Sequence, residues 1–172
     1  SGKGRLPEPD ELARLCERVL AGQGSSDLSG RRVVVTSGGT REHLDPVRFL
    51  GNRSSGRQGH ALARSAVARG AEVVLVSTSA LPDPAGVKVL RVTSALEMRD
   101  AVLSEAVTAD AVVMAAAVAD YRPREVGQTK RKKTDTYDLC LVQNPDILKE
   151  LVAARLPGQV LVGFAAETGS NA

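Results

Sequence analysis

Two short turns rich in small residues contain the groups best suited to bind an anion. The first, Ser37-Gly38-Gly39-Thr40, follows an apolar strand pattern at 32–36, and the second, Asn52-Arg53-Ser54-Ser55-Gly56, precedes an amphipathic helix pattern. Exposed backbone N–H groups and a helix dipole both favour negative charge at such turns. We therefore expect a phosphate-binding site. The first turn lacks the G-x-G-x-x-G fingerprint, and the chain has no G-x-x-x-x-G-K-[ST] loop.

Composition restricts the classes of function. The 172 residues suit one ordinary domain, and Cys16 and Cys140, which form no C-x-x-C pair, predict reduced structural thiols in a cytoplasmic protein. We expect a soluble protein that is not secreted, because we find neither an apolar run long enough to cross a bilayer nor a charged leader before an apolar region. A net charge of +3 favours an anionic partner, but 2% aromatic residues leave no stacking platform for nucleic acid. His43 and His60 are expected on the polar surface or a helix face, because no His/Cys/Asp cluster has metal-ligand spacing.

The strand and helix patterns predict where the turns lie. Residues 1–28 are read as a helical appendage and linker from a preceding domain, and strands then alternate with helices. Predicted strands cover 32–36, 72–77, 88–92, 110–114 and 160–164, with an edge strand at 137–142. Predicted helices run from Gly56 to Gly70, over 95–107 with Ser94 as cap, and from Asn144-Pro145, with these two as cap and first residue.

This alternation predicts a doubly wound, Rossmann-like α/β fold, with a mostly parallel sheet and helices on both faces. Ligands of such sheets bind beyond the carboxyl ends of strands, where the strand order reverses. Small-residue turns follow three predicted strands, at 37–40, 115–117 and 165–166. We expect these turns to converge on one site.

Seven motifs occur in order between residues 31 and 169. They are Thr-Ser-Gly-Gly-Thr-Arg-Glu at 36–42, Asp-Pro-Val-Arg-Phe at 45–49, Asn-Arg-Ser-Ser-Gly at 52–56, Met-Ala-Ala-Ala-Val-Ala-Asp-Tyr-Arg-Pro at 114–123, Lys-Arg-Lys-Lys at 130–133, Asn-Pro-Asp-Ile-Leu at 144–148 and Val-Gly-Phe-Ala-Ala-Glu-Thr at 162–168. In order and spacing they resemble the phosphopantothenoylcysteine synthetase family. Residues 4–9 are similar to the segment that joins a decarboxylase to this synthetase in bifunctional bacterial proteins.

The resemblance implies a phosphopantothenate-cysteine ligase of coenzyme A biosynthesis. The carboxylate of 4'-phosphopantothenate would be activated with CTP as an acyl-cytidylate, and the amine of L-cysteine would then displace CMP. Neither step needs a protein nucleophile, so the absence of a Ser-His-Asp or Cys-His signature is no obstacle. Mg²⁺ is expected to arrive with the triphosphate. A homodimer, and fusion to or assembly with the flavin-dependent decarboxylase, are also implied. The sequence does not settle CTP against ATP.

The resemblance also assigns roles to residues. Asn52 and Lys130 are the catalytic candidates, because an amide can donate and accept at once and a lysine can neutralise a polyphosphate. Arg48, Asn52 and Ala116 are expected to bind substrate, with Arg48 reaching across a dimer interface. The residues expected to bind the nucleotide are Gly38, Gly39, Thr40, Ser54, Ser55, Gly56, Met114, Ala115, Ala116, Asp120, Lys130, Gly163, Phe164, Ala165, Ala166 and Glu167. Plain alternatives are turn residues for Asn52 and the small residues, core packing for Phe164, a helix cap for Asp120 and a solvated loop for 130–133.

The sequence departs from the family pattern in two places, and two other functions are compatible with the predicted fold. The family continues beyond Thr168, so the synthetase domain at 29–172 is expected to lack its C-terminal part. The family also has an apolar residue between its lysines, where this chain has the unbroken 130–133 cluster. An NAD(P)-dependent reductase would want an acid after the second strand, where Ser77-Thr78 stand, and a lysine four residues after Tyr121. A non-catalytic nucleotide-binding module would bind CTP without turnover.

Overall fold

A computed structural model describes residues 26–130, 132 and 136–165. Within them the strands are β1 Arg32–Ser37, β2 Arg41–His43, β3 Phe49–Gly51, β4 Glu72–Ser77, β5 Val87–Arg91, β6 Ala111–Met114, β7 Tyr121–Pro123, β8 Leu141–Gln143 and β9 Val160–Gly163. The helices are α1 Arg57–Ala68, α2 Ala95–Ala106 and α3 Ile147–Ala153. None of these helices is long and apolar enough to cross a bilayer. The predicted N-terminal helix lies outside the described residues.

Five strands form one parallel sheet in the order β5-β4-β1-β6-β9. In its register Val34 of β1 lies between Val74 of β4 and Val112 of β6. The chain runs outward from β1 through β4 to β5, then returns to the other side of β1 for β6 and β9. This reversal at β1 confirms the predicted doubly wound fold and puts the switch point between β1 and β6.

The central strands β1 and β4 are buried on both faces, which explains why they are continuous runs of valine and leucine rather than alternating patterns. One face packs against α2 and α3 through Val34, Val74, Val76, Met98, Val102, Val112, Ile147 and Leu151. The other face packs against α1 through Val33, Val35, Ala63, Ala66, Val73 and Leu75. The sheet is therefore a rigid support for the loops at its carboxyl edge.

Two small hairpins were not predicted. Strands β2 and β3 pair antiparallel, as do β7 and β8, and neither pair joins the main sheet. The predicted edge strand at 137–142 is wrong, because only Leu141–Gln143 is extended and its partner is β7. The neighbouring Cys140 is a free, exposed thiol.

The predicted start of the last helix is also wrong. Helix α3 begins at Ile147, and its cap is Asp146, whose carboxylate accepts a hydrogen bond from the backbone N–H of Lys149 at 3.0 Å. Asn144 lies outside the helix because its side chain is buried and bonded elsewhere. Ser94, in contrast, caps α2 as predicted, accepting from the backbone N–H of Glu97.

Candidate functional site

The turns after β1 and β6 meet directly at the switch point of the sheet. Gly39 and Ala117 form a parallel bridge, with the N–H of Thr40 donating to the Ala117 carbonyl at 3.2 Å. The N–H of Ala117 donates in turn to the Gly38 carbonyl at 2.8 Å. The predicted convergence of these two turns is confirmed. Several backbone groups of the first turn are consequently occupied in joining the two loops.

Two buried threonine hydroxyls hold the loop at 115–120, which we call the switch loop. The Oγ1 of Thr36 accepts from the N–H of Ala116 at 3.0 Å, and the Oγ1 of Thr40 accepts from the N–H of Ala119 at 2.9 Å. Both threonines are fully buried. Their bonds fix the loop from the β1 side, so the conformation of the loop depends on side chains about eighty residues earlier.

Asn144 holds the switch loop from the opposite side. Its Nδ2 donates to the carbonyl of Ala119 and its backbone N–H to the carbonyl of Asp120, both at 2.7 Å. Its Oδ1 accepts from the guanidinium of Arg122 at 2.9 Å. A residue expected to cap a helix therefore fixes two consecutive peptides of the switch loop.

The segment Asn52-Arg53-Ser54-Ser55-Gly56, which we call the serine loop, docks onto the switch loop. The Nδ2 of Asn52 donates to the carbonyl of Val118 at 3.1 Å. The Ser55 carbonyl accepts from the Oγ of Ser79 at 2.9 Å, which ties the loop to the end of β4. Gly39 makes the approach possible, because a Cβ there would lie 2.5 Å from the Asn52 carbonyl oxygen.

The end of the serine loop is fixed by a buried serine and histidine. Gly56 caps α1 with a φ of 78°, and its carbonyl accepts from the Oγ of Ser37 at 2.8 Å. The Nδ1 of His60 lies 2.9 Å from that Oγ and 3.0 Å from the Gly56 carbonyl oxygen. Because the serine proton is already used, we assign a proton to Nδ1. His60 is 1% exposed and lies on the inward face of α1, so of its two predicted positions the polar surface is wrong and the helix face is right.

Two cavities open on either side of the serine loop. The first, about 620 Å³, is lined by the switch loop, the segment 143–148 before and within α3, and residues 163–165 after β9. The second, about 490 Å³, lies between the serine loop, the hairpin β2–β3 and residues 78–80 after β4. Asn52, Arg53 and Ser54 line both cavities. The serine loop is therefore the wall between them.

The cavities differ in charge. The second is lined by two cations, Arg41 and Arg53, and none of its described lining residues is acidic. The first is lined by Arg53 together with the carboxylates of Asp120 and Asp146. An anion alone suits the second cavity, whereas an anion accompanied by a cation suits the first.

Most of the residues expected at the site line one of the cavities. Those at the first are Asn52, Ser54, Met114, Ala115, Ala116, Asp120, Gly163, Phe164 and Ala165. Those at the second are Gly39, Thr40, Asn52, Ser54 and Ser55. Phe164 is 53% exposed and Asp120 precedes strand β7, so core packing and helix capping, their plain alternatives, are wrong. Ala166 and Glu167 lie outside the described residues.

Gly38, Gly56, Arg48 and Lys130 line neither cavity in the described part of the chain. Gly38 and Gly56 are buried behind the loops, where a Cβ would collide with Thr78 at one and with Ser79 and Ser37 at the other. Lys130 is exposed. Their binding roles remain predictions, while their positions show that the two glycines shape the turns.

Arg48 is held by a buried carboxylate. Its Nε and Nη2 donate to Oδ2 of Asp45 at 2.9 and 2.5 Å, and Oδ1 of Asp45 accepts from the backbone N–H groups of Val47 and Arg48. These donors, above all the Arg48 guanidinium, hold the pKa of Asp45 well below its ordinary value. The side chain of Arg48 is consequently fixed on the outer surface, near the ring of Tyr137.

Glu42 has a structural role that sequence reasoning missed. It is 3% exposed, and its Oε1 accepts from the backbone N–H of Ala95 at 2.9 Å. The carboxylate thus lies at the positive N-terminus of α2. Within the described part of the chain, no group of three or more His, Cys, Asp or Glu side chains is placed to hold a metal ion.

Comparison with known proteins agrees with this architecture. Residues 28–172 match the family described as "DNA/pantothenate metabolism flavoprotein C-terminal domain". The chain is 51% identical over 180 residues to "Coenzyme A biosynthesis bifunctional protein CoaBC" of Mycobacterium tuberculosis (strain ATCC 25618 / H37Rv), covering 98% of this chain and 43% of that protein. It is 48% identical to the protein of that name from Bacillus subtilis (strain 168), covering 97% of this chain and 42% of the relative.

Solved structures show the same fold. The crystal structure of the C-terminal domain of a CoaBC protein superposes with a TM-score of 0.74 at 44% identity, covering 85% of this chain and 69% of that one. A complex of the Cab2 mutant H337A with phosphopantothenate-cysteine superposes with a TM-score of 0.67 at 23% identity, over 95% of this chain and 73% of that one, which shows the fold alone. The chain spans less than half the length of the curated relatives above. This chain belongs to the family of C-terminal domains of DNA/pantothenate metabolism flavoproteins.

Proposed function

We propose that this chain is the phosphopantothenate-cysteine ligase part of a coenzyme A biosynthesis protein. The observation that carries the proposal is the position of Asn52 in the wall between two cavities. A ligase that joins two substrates through a phosphate needs two adjoining sites with one polar group at their junction. The names of the bifunctional relatives support the pathway, and the family supports the domain.

The two cavities suit the two substrates. The second cavity, with its two arginines and no acid among its described lining residues, would take the phosphate of 4'-phosphopantothenate. The first cavity, of about 620 Å³, has the size of a site for a nucleotide. The small side chains Ala115 and Ala116 and the half-exposed ring of Phe164 would allow close backbone contact and stacking with CTP there.

The reaction would proceed in two steps, activation of the carboxylate and formation of the amide. A carboxylate oxygen of phosphopantothenate attacks the α-phosphorus of CTP, the bond from that phosphorus to the bridging oxygen breaks, and pyrophosphate leaves. The amine of cysteine then attacks the acyl carbon, the bond from carbon to the phosphate oxygen breaks, and CMP leaves as the amine loses a proton to solvent. The protein positions the reactants and stabilises the charge that develops.

Asn52 would serve both steps. Its Nδ2 already donates one hydrogen to the carbonyl of Val118, which orients the amide. Within the described residues the second Nδ2 hydrogen and the Oδ1 have no other partner, so they can donate to an acyl-phosphate oxygen and accept from the incoming amine. Lys130 would neutralise the polyphosphate from the loop that precedes 131–135.

The first cavity also fits a Mg²⁺ ion that enters with the triphosphate. Its described wall has two separated carboxylates, Asp120 and Asp146, rather than a cage of ligands. Magnesium usually keeps several waters and binds through one or two carboxylates and the substrate phosphates. Asp120 would hold the ion, which would neutralise charge on the phosphate oxygens.

A homodimer is part of the proposal. Six of the exposed large apolar side chains among the described residues lie on the two hairpins and their connections, at Val47, Phe49, Tyr121, Val126, Tyr137 and Leu141. Such a cluster favours association with a partner. Arg48 lies on the same region, fixed by Asp45 and away from the cavities of its own chain, which suits a side chain offered to the site of the partner.

We also propose a cytoplasmic location and linkage to the flavin-dependent decarboxylase.

Pyrophosphate release with 4'-phosphopantothenate and each nucleoside triphosphate tests the activity. We expect release with CTP when cysteine is omitted, and amide formation when it is added. A higher kcat/KM with ATP would overturn the choice of CTP. Binding of CTP without release of pyrophosphate would instead identify a nucleotide-binding module.

Asn52→Asp tests the catalytic assignment in a rapid-quench experiment with labelled CTP. The change keeps the size but removes two donors and adds charge beside an anion, so both half-reactions should slow about 10²-fold to 10³-fold. Gln58→Glu is the matched control, because it also adds a carboxylate to the first cavity, at a residue that does not line the second. If the acyl-cytidylate and the amide both form at wild-type rates in Asn52→Asp, Asn52 is only a turn residue.

A further inference from the structure

The serine loop holds one cation at the junction of the two cavities. Arg53 lines both, as do Asn52 and Ser54, but it is the only one of the three with a charge. Lys130, the cation expected from the sequence, lines neither cavity in the described part of the chain. Among the described residues, Arg53 is therefore the one cation that lines both sites.

The backbone on both sides of Arg53 is fixed. Asn52 is bonded to the switch loop through Val118, and its carbonyl packs against Gly39. On the other side, the N–H of Gly56 reaches the Oγ of Ser54 at 3.4 Å, and the carbonyl of Ser55 accepts from Ser79. The arginine is thus an exposed side chain on an anchored backbone.

The guanidinium itself is available to a ligand. Among the described residues, no carboxylate or carbonyl pairs with Arg53, whereas Arg48, Arg91 and Arg99 each pair with an acid. A guanidinium presents a planar fork of donors that matches two oxygens of a phosphate. Leaving it unpaired in a wall shared by two anion-binding cavities costs little in water and keeps it free for the ligand.

We propose that Arg53 binds the phosphate that links the two substrates. This assignment rests on the proposed function, in which the α-phosphate of the nucleotide is the group on which both substrates meet. When the carboxylate oxygen bonds to that phosphorus and pyrophosphate leaves, negative charge grows on the phosphate oxygens. The guanidinium would donate to those oxygens without forming or breaking a covalent bond, and so stabilise the transition state of activation.

Arg53→Gln and Arg57→Gln form a matched pair for the test. Arg57 is an exposed arginine four residues on that lines neither cavity. The two variants in the full-length natural protein change net charge equally, so a general charge effect appears in both. Arg53→Lys keeps the charge but loses the fork, and should retain part of the activity. Thermal denaturation should show unchanged stability for all three, because the side chains are exposed.

Two measurements separate this assignment from the proposed function. Calorimetry with CTP should show weaker binding by Arg53→Gln than by Arg57→Gln, and kcat for pyrophosphate release should fall about 10-fold to 100-fold in Arg53→Gln only. If wild type turns over and Arg53→Gln behaves like Arg57→Gln, the assignment of Arg53 is wrong and the ligase stands. If wild type binds CTP without turnover and only Arg53→Gln binds it more weakly, Arg53 stands as an anion-binding residue and the ligase is wrong. If wild type neither binds nor turns over, both are wrong.

Discussion

Replacement of Thr40 by valine tests how the switch loop is held. Threonine and valine have nearly the same shape, so Thr40→Val leaves no cavity but removes the oxygen that accepts from the N–H of Ala119. The site is fully buried, so water cannot replace that acceptor without local opening. An unsatisfied buried donor costs about 1–3 kcal/mol, which is the expected loss in the free energy of unfolding.

Urea unfolding measures the free-energy loss directly, and thermal denaturation gives a second reading. For a domain of this size each kcal/mol lowers Tm by about 2–4 °C, so Tm should fall by about 2–12 °C. Thr129→Val, at an exposed position that lines neither cavity, is the control and should change the free energy of unfolding by less than about 0.5 kcal/mol.

The same substitution should also weaken CTP binding, because the loop it loosens forms much of the first cavity. Thr36→Val removes the oxygen that accepts from the N–H of Ala116, which lies three residues before Ala119 in the same loop. If the two threonines hold one rigid unit, the double variant should lose at least about 0.5 kcal/mol less than the sum of the single losses. A Thr40→Val protein with unchanged stability and CTP affinity would show that the hydrogen bond is dispensable and refute this account of the site.

Three further predictions concern charged residues. Glu42→Gln should lower the free energy of unfolding by about 0.5–2 kcal/mol in urea, because a buried carboxylate at the N-terminus of α2 is replaced by a neutral amide; an unchanged value would contradict the structural role. Because Arg48 lowers the pKa of Asp45, this carboxyl stabilises the fold above the pKa of an unfolded aspartate and loses that contribution as pH falls through the folded pKa. The stability difference between wild type and Asp45→Asn should therefore shrink below about pH 4, and a constant difference from pH 7 to pH 2 would contradict the linkage. Lys130→Ala should slow pyrophosphate release about 100-fold while Lys132→Ala does not; a wild-type rate in Lys130→Ala would make the cluster at 130–133 a solvated loop.

The sheet was predictable because its signals are local. Continuous apolar runs such as 72–77 and a capping serine at Ser94 specify strands and a helix within a few residues of chain, and both agree with the structure. The small-residue turns after β1 and β6 could be placed together because parallel strands bring their carboxyl ends to one edge. Local strand signals and the shared carboxyl edge of parallel strands are therefore enough to locate the cavities.

The hairpins and the last helix cap could not be predicted from the same rules. Strands β2 and β7 have three residues each, which is too short for a period of two to be distinguished from a loop. The Asn144-Pro145 pair has the local chemistry of a helix start, but its asparagine gains more by bonding to Ala119 and Arg122 than by capping. Tertiary hydrogen bonds override local preference when the side chain is buried, because a buried amide must be satisfied.

The residues of the site fall into two groups, buried side chains that hold its loops and exposed side chains that face a ligand. Thr36, Asn144 and His60 belong to the first group. Each is buried, and each bonds to a group 4 to 80 residues away in sequence, so spacing alone reveals no role for it. Arg53 and Asn52 are exposed and lie where a ligand would be. Substitution of the buried group must change stability and binding together, because the same hydrogen bonds fold the loops and shape the cavities. Substitution of Arg53, which has no partner among the described residues, should change binding or rate at constant stability, whereas Asn52 also bonds to Val118 and should affect both. A plot of unfolding free energy against CTP affinity across these variants would therefore separate residues that build the site from residues that act in it.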